Sequence, residues 1–208
     1  MKDEPLGRPR HVRRWIPLGR RALSVTVGLI LSTSVLGAQE AQSAEPRIPP
    51  LESAQAGINI IRTLAHHPTL AEAWTTFASY VLGDNTLPPR DRELLILRIG
   101  YLRGAEYEWG HHSRIGCRAG LTDEEILRVT RGPEATGWLS FDRALVRAVD
   151  ELHRDAEISD RTWAELAARY DTKQLMDVVF TVGQYNLVSM ALKTFRMPMD
   201  DGIEGFPG

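Results

Sequence analysis

The chain has 208 residues, 43% hydrophobic and 25% charged, a composition that excludes a collagen-like, coiled-coil or wholly disordered protein. One cysteine excludes an intramolecular disulfide, a four-cysteine zinc site and a CxxC redox pair. The net charge of −2 is uneven: residues 1–45 hold 7 Lys and Arg against 4 Asp and Glu, and residues 46–208 hold 18 against 23. A mildly acidic body argues against a nucleic-acid partner.

The first stretch has its own logic. Arg8, Arg10, Arg13, Arg14, Arg20 and Arg21 precede a charge-free run from Ala22 to Ala38, which Ser, Thr and Gly dilute. Such a run is at the short edge of what spans a bilayer. Basic residues, a short apolar stretch and small residues at its end form the pattern of an export signal. The two Arg-Arg pairs resemble a twin-arginine leader. The expectation is residues 1–45 as signal and linker, residues 46–208 as the mature domain, and a periplasmic or secreted location. A cytoplasmic protein, an uncleaved anchor and an over-extended start are the alternatives. Membrane contact is expected only through an uncleaved leader.

From Leu51 onward no sustained period-2 alternation occurs, and the fold class expected is all-α. A first helix is predicted within Leu51–Ala65 and a second over about Thr69–Leu82, ended by Gly83 and Asn85. Pro88 and Pro89 open a third, Arg90–Arg103, apolar nearly all round through Leu94, Leu95, Ile96, Leu97 and Ile99. Gly104 separates it from a fourth, Ala105–Ala119. Thr122 and Glu125 form a capping box for the next, which Gly132 and Pro133 stop. Ser140 and Ser159 read as caps of two more. A long last helix is predicted over Thr172–Phe195.

One constellation carries chemistry. At about 100° per residue, Ala105, Glu108, His112, Ile115, Gly116 and Ala119 share one face of the fourth helix. Small residues on that face admit a close neighbour, which would desolvate Glu108 and His112. If the third and fourth helices form an antiparallel hairpin, Glu93 can also face His112. Two carboxylates flanking one imidazole would keep it available as a proton donor. A plain ion pair on a helix surface is the competing reading of the Glu108–His112 spacing.

Other residues carry weaker signals. His111 points about 100° from His112, towards the surface or a subunit contact. Tyr107 and Trp109 flank Glu108 and serve packing or substrate contact. Arg98 lies on an apolar stretch, where it must pair with an acid or face a polar site. His66 and His67 are adjacent, so they cannot face one ion from a helix; neither a metal nor another cofactor is expected.

The segments RDRELLILR (90–98), YEWGHH (107–112), AGLTDEEI (119–126), FDRALVRAVDEL (141–152) and VGQYN (182–186) together resemble the carboxymuconolactone decarboxylase family. The resemblance implies an AhpD-like helical bundle around a central hairpin, assembled as a homo-oligomer, a trimer or hexamer. It also implies Glu93 and His112 at the family's Glu and His positions. The CxxC cysteines of the alkylhydroperoxidase branch fall on Ala105 and Glu108, so thiol-based peroxide reduction is disfavoured. Cys117, about 140° round the helix from His112, cannot stand in. The function expected is that of an acid–base lyase on a small carboxylated ring or lactone. His112 would be its proton donor, Glu108 would orient it, Glu93 would relay, and Arg98, Tyr107 and Trp109 would contact substrate. The alternatives are a non-catalytic or stress-related member and a peroxidase.

Overall fold

The computed structural model describes residues 45–52 and 57–207. The leader expected over residues 1–45 lies outside them except for Glu45. The described body is all-helical: α1 (Asn59–Leu64), α2 (Pro68–Ser79) continued by a π-turn (Tyr80–Asp84), α3 (Pro89–Arg103), α4 (Glu106–Arg118), α5 (Asp123–Arg131), α6 (Ser140–Asp155), α7 (Asp160–Ala167) and α8 (Thr172–Phe195).

The helix boundaries follow local chemistry. Thr122 and Glu125 cap α5 reciprocally, Asp171 and Gln174 do the same for α8, and the Ser159 hydroxyl caps α7. Three details depart from expectation. Helix α1 starts only at Asn59. The second helix does not stop at Gly83 but runs through it as the π-turn, which Asn85 closes by donating to the Val81 carbonyl. Ser140 is the first residue of α6 and Leu139 its cap, with no side-chain bond. The ring of His67 caps α2 by accepting from the Leu70 amide, while His66 lies within hydrogen-bonding distance of the Pro49 carbonyl.

Helix α3 is the axis of the fold. Every residue from Asp91 to Gly100 is buried, against α4, α6 and α8. It must therefore satisfy its charged side chains inside the protein. Gly104, in the left-handed conformation at φ 62°, ends α3 and lets α4 turn back along it. Two further glycines set how close the pair comes. A Cβ on Gly116 of α4 would stand 3.5 Å from Leu97 Cδ1 and 3.7 Å from Glu93 Cβ of α3, and one on Gly100 of α3 3.1 Å from Glu108 Oε1. Gly116, one of the small residues read from the sequence, thus lies against α3, and Gly100 adds a second close approach.

Candidate active site

The hairpin delivers Glu93 of α3 to His112 of α4. His112 Nδ1 lies 2.7 Å from Glu93 Oε2, and the Glu93 side chain is wholly buried. An ionised carboxylate only accepts, so the Nδ1 proton is assigned to this bond, which leaves Nε2 as the imidazole's free nitrogen. The other oxygen of Glu93 accepts from Arg92 Nε at 3.2 Å. The Tyr185 ring of α8 meets the imidazole edge-to-face at 4.8 Å and fixes its plane from the far side.

Glu108 takes a different position from the one expected. It makes no hydrogen bond to His112; its Oε2 accepts from Ser189 Oγ at 3.0 Å, and the side chain lies over Gly100, where α3 has no side chain to exclude it. Burial pushes its carboxyl well above the ordinary carboxylate range; the Ser189 bond opposes this and the nearby Glu93 charge adds to it. Burial thus favours the protonated form of the Glu108 carboxyl. Glu93, not Glu108, orients the imidazole.

Glu108 and His112 border a cavity of about 130 Å³. Its walls come from four elements: Ile60 of α1, Trp74 of α2, Tyr107 and Ile115 of α4, and Tyr185 and Val188 of α8. They are mainly apolar, and no Lys or Arg is among the lining residues. Among the described residues, five buried side-chain atoms have no hydrogen-bond partner. Two of the five, Glu108 Oε1 and Gln184 Nε2, belong to residues lining this cavity. Unsatisfied buried polar atoms are costly, and two on residues lining one apolar cavity are consistent with a place for a polar ligand.

The remaining site expectations divide. Tyr107 lines the cavity, with its hydroxyl donating to Asp200. Trp109 does not. One position round the helix from Glu108, it packs on Tyr101 and Phe206 and borders a separate groove of about 530 Å³ along the C-terminal tail. Arg98 also fails to reach the cavity. It grips both oxygens of Asp150, at 2.6 and 2.9 Å, and donates to the Val129 carbonyl at 2.8 Å, so its guanidinium is already paired. The sequence reading missed His111, Gln184, Tyr185 and Ser189. The last three lie near the middle of a long helix whose neighbours only the fold reveals. Cys117 is exposed and faces Asp123 in the other groove.

An all-α bundle whose central hairpin presents a buried Glu–His pair to an apolar cavity defines the class of protein. The family model of the carboxymuconolactone decarboxylase family matches residues 68–151, from α2 through most of α6. No curated protein matches the sequence. Solved structures share the fold. An AhpD-designated protein of unknown function from Agrobacterium tumefaciens is 21% identical (TM-score 0.61, 66% of this chain and 94% of that one). The debrominase Bmp8 without ligand is 14% identical (TM-score 0.64, 74% and 92%). A peroxidase-related protein with an AhpD core from Ralstonia eutropha JMP134 is 15% identical (TM-score 0.62, 80% and 83%).

Proposed function

We propose that the protein is an acid–base lyase that releases CO2 from a small carboxylated ring compound of the lactone type. The observation that carries this reading is the buried Glu93–His112 pair beside an apolar cavity that Glu108 also lines. The C–C bond to the carboxylate breaks, its electron pair enters the unsaturated ring, and CO2 leaves. His112, entering the step as the imidazolium with its Nδ1–H on Glu93, then gives its Nε2 proton to the resulting carbanion and is reprotonated from solvent. Glu93 holds the ring in place and stabilises the imidazolium. Glu108, kept protonated by burial, donates a hydrogen bond to the oxygen on which charge develops. A cationic clamp would stabilise the starting carboxylate, so apolar walls favour its loss of charge.

The names of the structural neighbours suggest redox chemistry as a second class. Against it stand Ala105 and Glu108 at the two cysteine positions. The Cys117 thiol, raised by burial and by Asp123, is also away from His112. Purified protein should release CO2 from a carboxylated butenolide and show no dithiol-dependent peroxide reduction. Peroxide reduction lost on Cys117→Ser would reverse the assignment.

The proposal includes a homo-oligomer. Met176, Phe180, Leu187 and Met190 recur on one stripe of α8, each about half exposed, and Phe77 of α2 meets Phe180 edge-to-face. Light scattering on residues 46–208 should give a trimer or hexamer; a monomer at micromolar concentration would contradict it. Export is likewise proposed, and N-terminal sequencing from the native host tests it through a start near Gln39 or Glu45.

A further inference from the structure

Helix α4 presents two consecutive imidazoles, His111 and His112, and both line the same cavity. Neighbouring helix positions diverge by about 100°, so a shared cavity must wrap round the flank of α4. It does so between Ile58 and Ile60 on one side and Tyr185 and Val188 on the other.

Each imidazole is tied through one nitrogen to a carboxylate from another part of the chain. His112 uses Nδ1 on Glu93, and His111 uses Nε2 on Asp200 Oδ2 at 2.8 Å. Asp200, in the tail after α8, is itself held in place. Its Oδ1 accepts from the Asn59 amide at 2.9 Å, and its Oδ2 also takes the Tyr107 hydroxyl. The Tyr107 ring lies against the His111 imidazole, centroids 4.7 Å apart. With Asp200 ionised, the His111 proton belongs on Nε2 and the lone pair on Nδ1. His111 therefore offers a lone pair on Nδ1, while His112 keeps Nδ1 on Glu93 and offers Nε2 beside the same cavity.

We propose that His111, positioned by Asp200, is a second catalytic acid–base group of this site, so that the substrate is proton-transferred at two positions. The substrate class that needs this is an unsaturated five-membered lactone with an acidic ring C–H conjugated to the position that His112 protonates. His111 Nδ1 takes that proton and becomes the imidazolium, the C–H electron pair enters the conjugated system, and a new C–H bond forms at the other end with the Nε2 proton of His112, which enters the step as the imidazolium and leaves it neutral. The double bond migrates, and both imidazoles re-equilibrate with solvent. The proposal rests on the lyase reading for the identity of the cavity, but not on CO2 release.

The test uses a butenolide without a carboxylate, which can exchange and isomerise but cannot lose CO2. In D2O, NMR should show the full-length protein catalysing deuterium entry at the ring carbon above the buffer rate. His111→Gln and Asp200→Asn should each slow this at least tenfold. Asp200→Asn should lower kcat with little change in KM, and Asp200→Glu should restore part of the rate; a merely structural role would move stability and KM instead. Circular dichroism confirms that each variant is folded. If Asp200→Asn unfolds, nitrogen-15 NMR of the wild-type ring, which must show His111 as the Nε2–H tautomer, takes its place. No exchange by the wild-type protein, or exchange indifferent to His111→Gln, would overturn the proposal. CO2 release from the carboxylated lactone without exchange into the plain butenolide would sink the second proton position and leave the lyase reading standing. Exchange without CO2 release would do the reverse.

Discussion

Helix α3 carries charge on two flanks, and the flanks treat it differently. Towards α5 and α6 the charged groups of α3 itself are saturated, although Arg143 and His153 of α6 each keep a buried nitrogen without a partner. Arg90 grips Asp142 at 2.9 and 3.1 Å and reaches Glu125, Arg98 grips Asp150 and two carbonyls of α5, and Asp91 accepts from the Tyr170 hydroxyl at 2.6 Å. Towards α4 and α8, Glu93 shares its charge with a titratable imidazole and Glu108 leaves one oxygen without a partner. The first flank is a lattice that fastens α3 to its neighbours, and the second holds groups that change protonation. A protein that buried ten consecutive residues for stability alone would treat both flanks alike. Leaving the carboxyl beside the cavity incomplete is the mark of a site.

That contrast breaks most sharply in opposite directions. His112→Ala removes the proton donor, and turnover of the carboxylated lactone per folded molecule should fall by about 10²–10⁴-fold, with some loss of stability because buried Glu93 then keeps only Arg92. Glu93→Gln should follow it in activity, because an amide can present its N–H to the imidazole and fix the wrong tautomer. Turnover indifferent to both would remove the catalytic reading of this flank.

On the saturated flank the expectation inverts. Arg98→Met leaves Asp150 facing uncapped carbonyls in a mostly buried position, at a cost of about 3 kcal/mol in urea unfolding. Activity per folded molecule should be unchanged, because Arg98 does not line the cavity. Gly132→Ala should act on the same contact, since φ there is 81° and a Cβ would stand 2.9 Å from the Arg98 guanidinium. A large fall in kcat for folded Arg98→Met would return Arg98 to the site.

What the sequence revealed follows the same division. The Glu93–His112 pairing was legible because both residues lie on elements whose helical period and turn glycine are strong local signals. The all-α class was legible for the same reason. Arg98 was ambiguous, since a guanidinium on an apolar stretch needs a partner and its partner is on α6, far along the chain. Glu108 was misread in its role because helical spacing gives proximity to His112 but does not show that Gly100 opens space on α3 and Ser189 supplies a hydroxyl. His111 was turned outward in the sequence reading because a helical wheel cannot show a tail returning to deliver Asp200. Pairings across distant elements are what local pattern leaves out.

The smallest expected effect lies within the incomplete flank, in Glu108→Gln. Burial raises the wild-type carboxyl in the folded protein, while in the unfolded chain it titrates near the ordinary 4.5. Above about that pH the unfolded state loses its proton while the folded state keeps it, so folding binds a proton and stability declines as pH rises. The decline continues until the folded carboxyl itself ionises. Glutamine cannot ionise, so its stability curve should be flatter over this window. The melting-temperature difference, variant minus wild type, should therefore become more positive from pH 5 towards pH 8, with other titrating groups cancelling in the subtraction. The unpartnered amide shifts both ends of the comparison equally and leaves the slope intact. A difference constant with pH would mean that Glu108 is already ionised in the fold. The neutral donor assigned to it would then have to come from His112 alone.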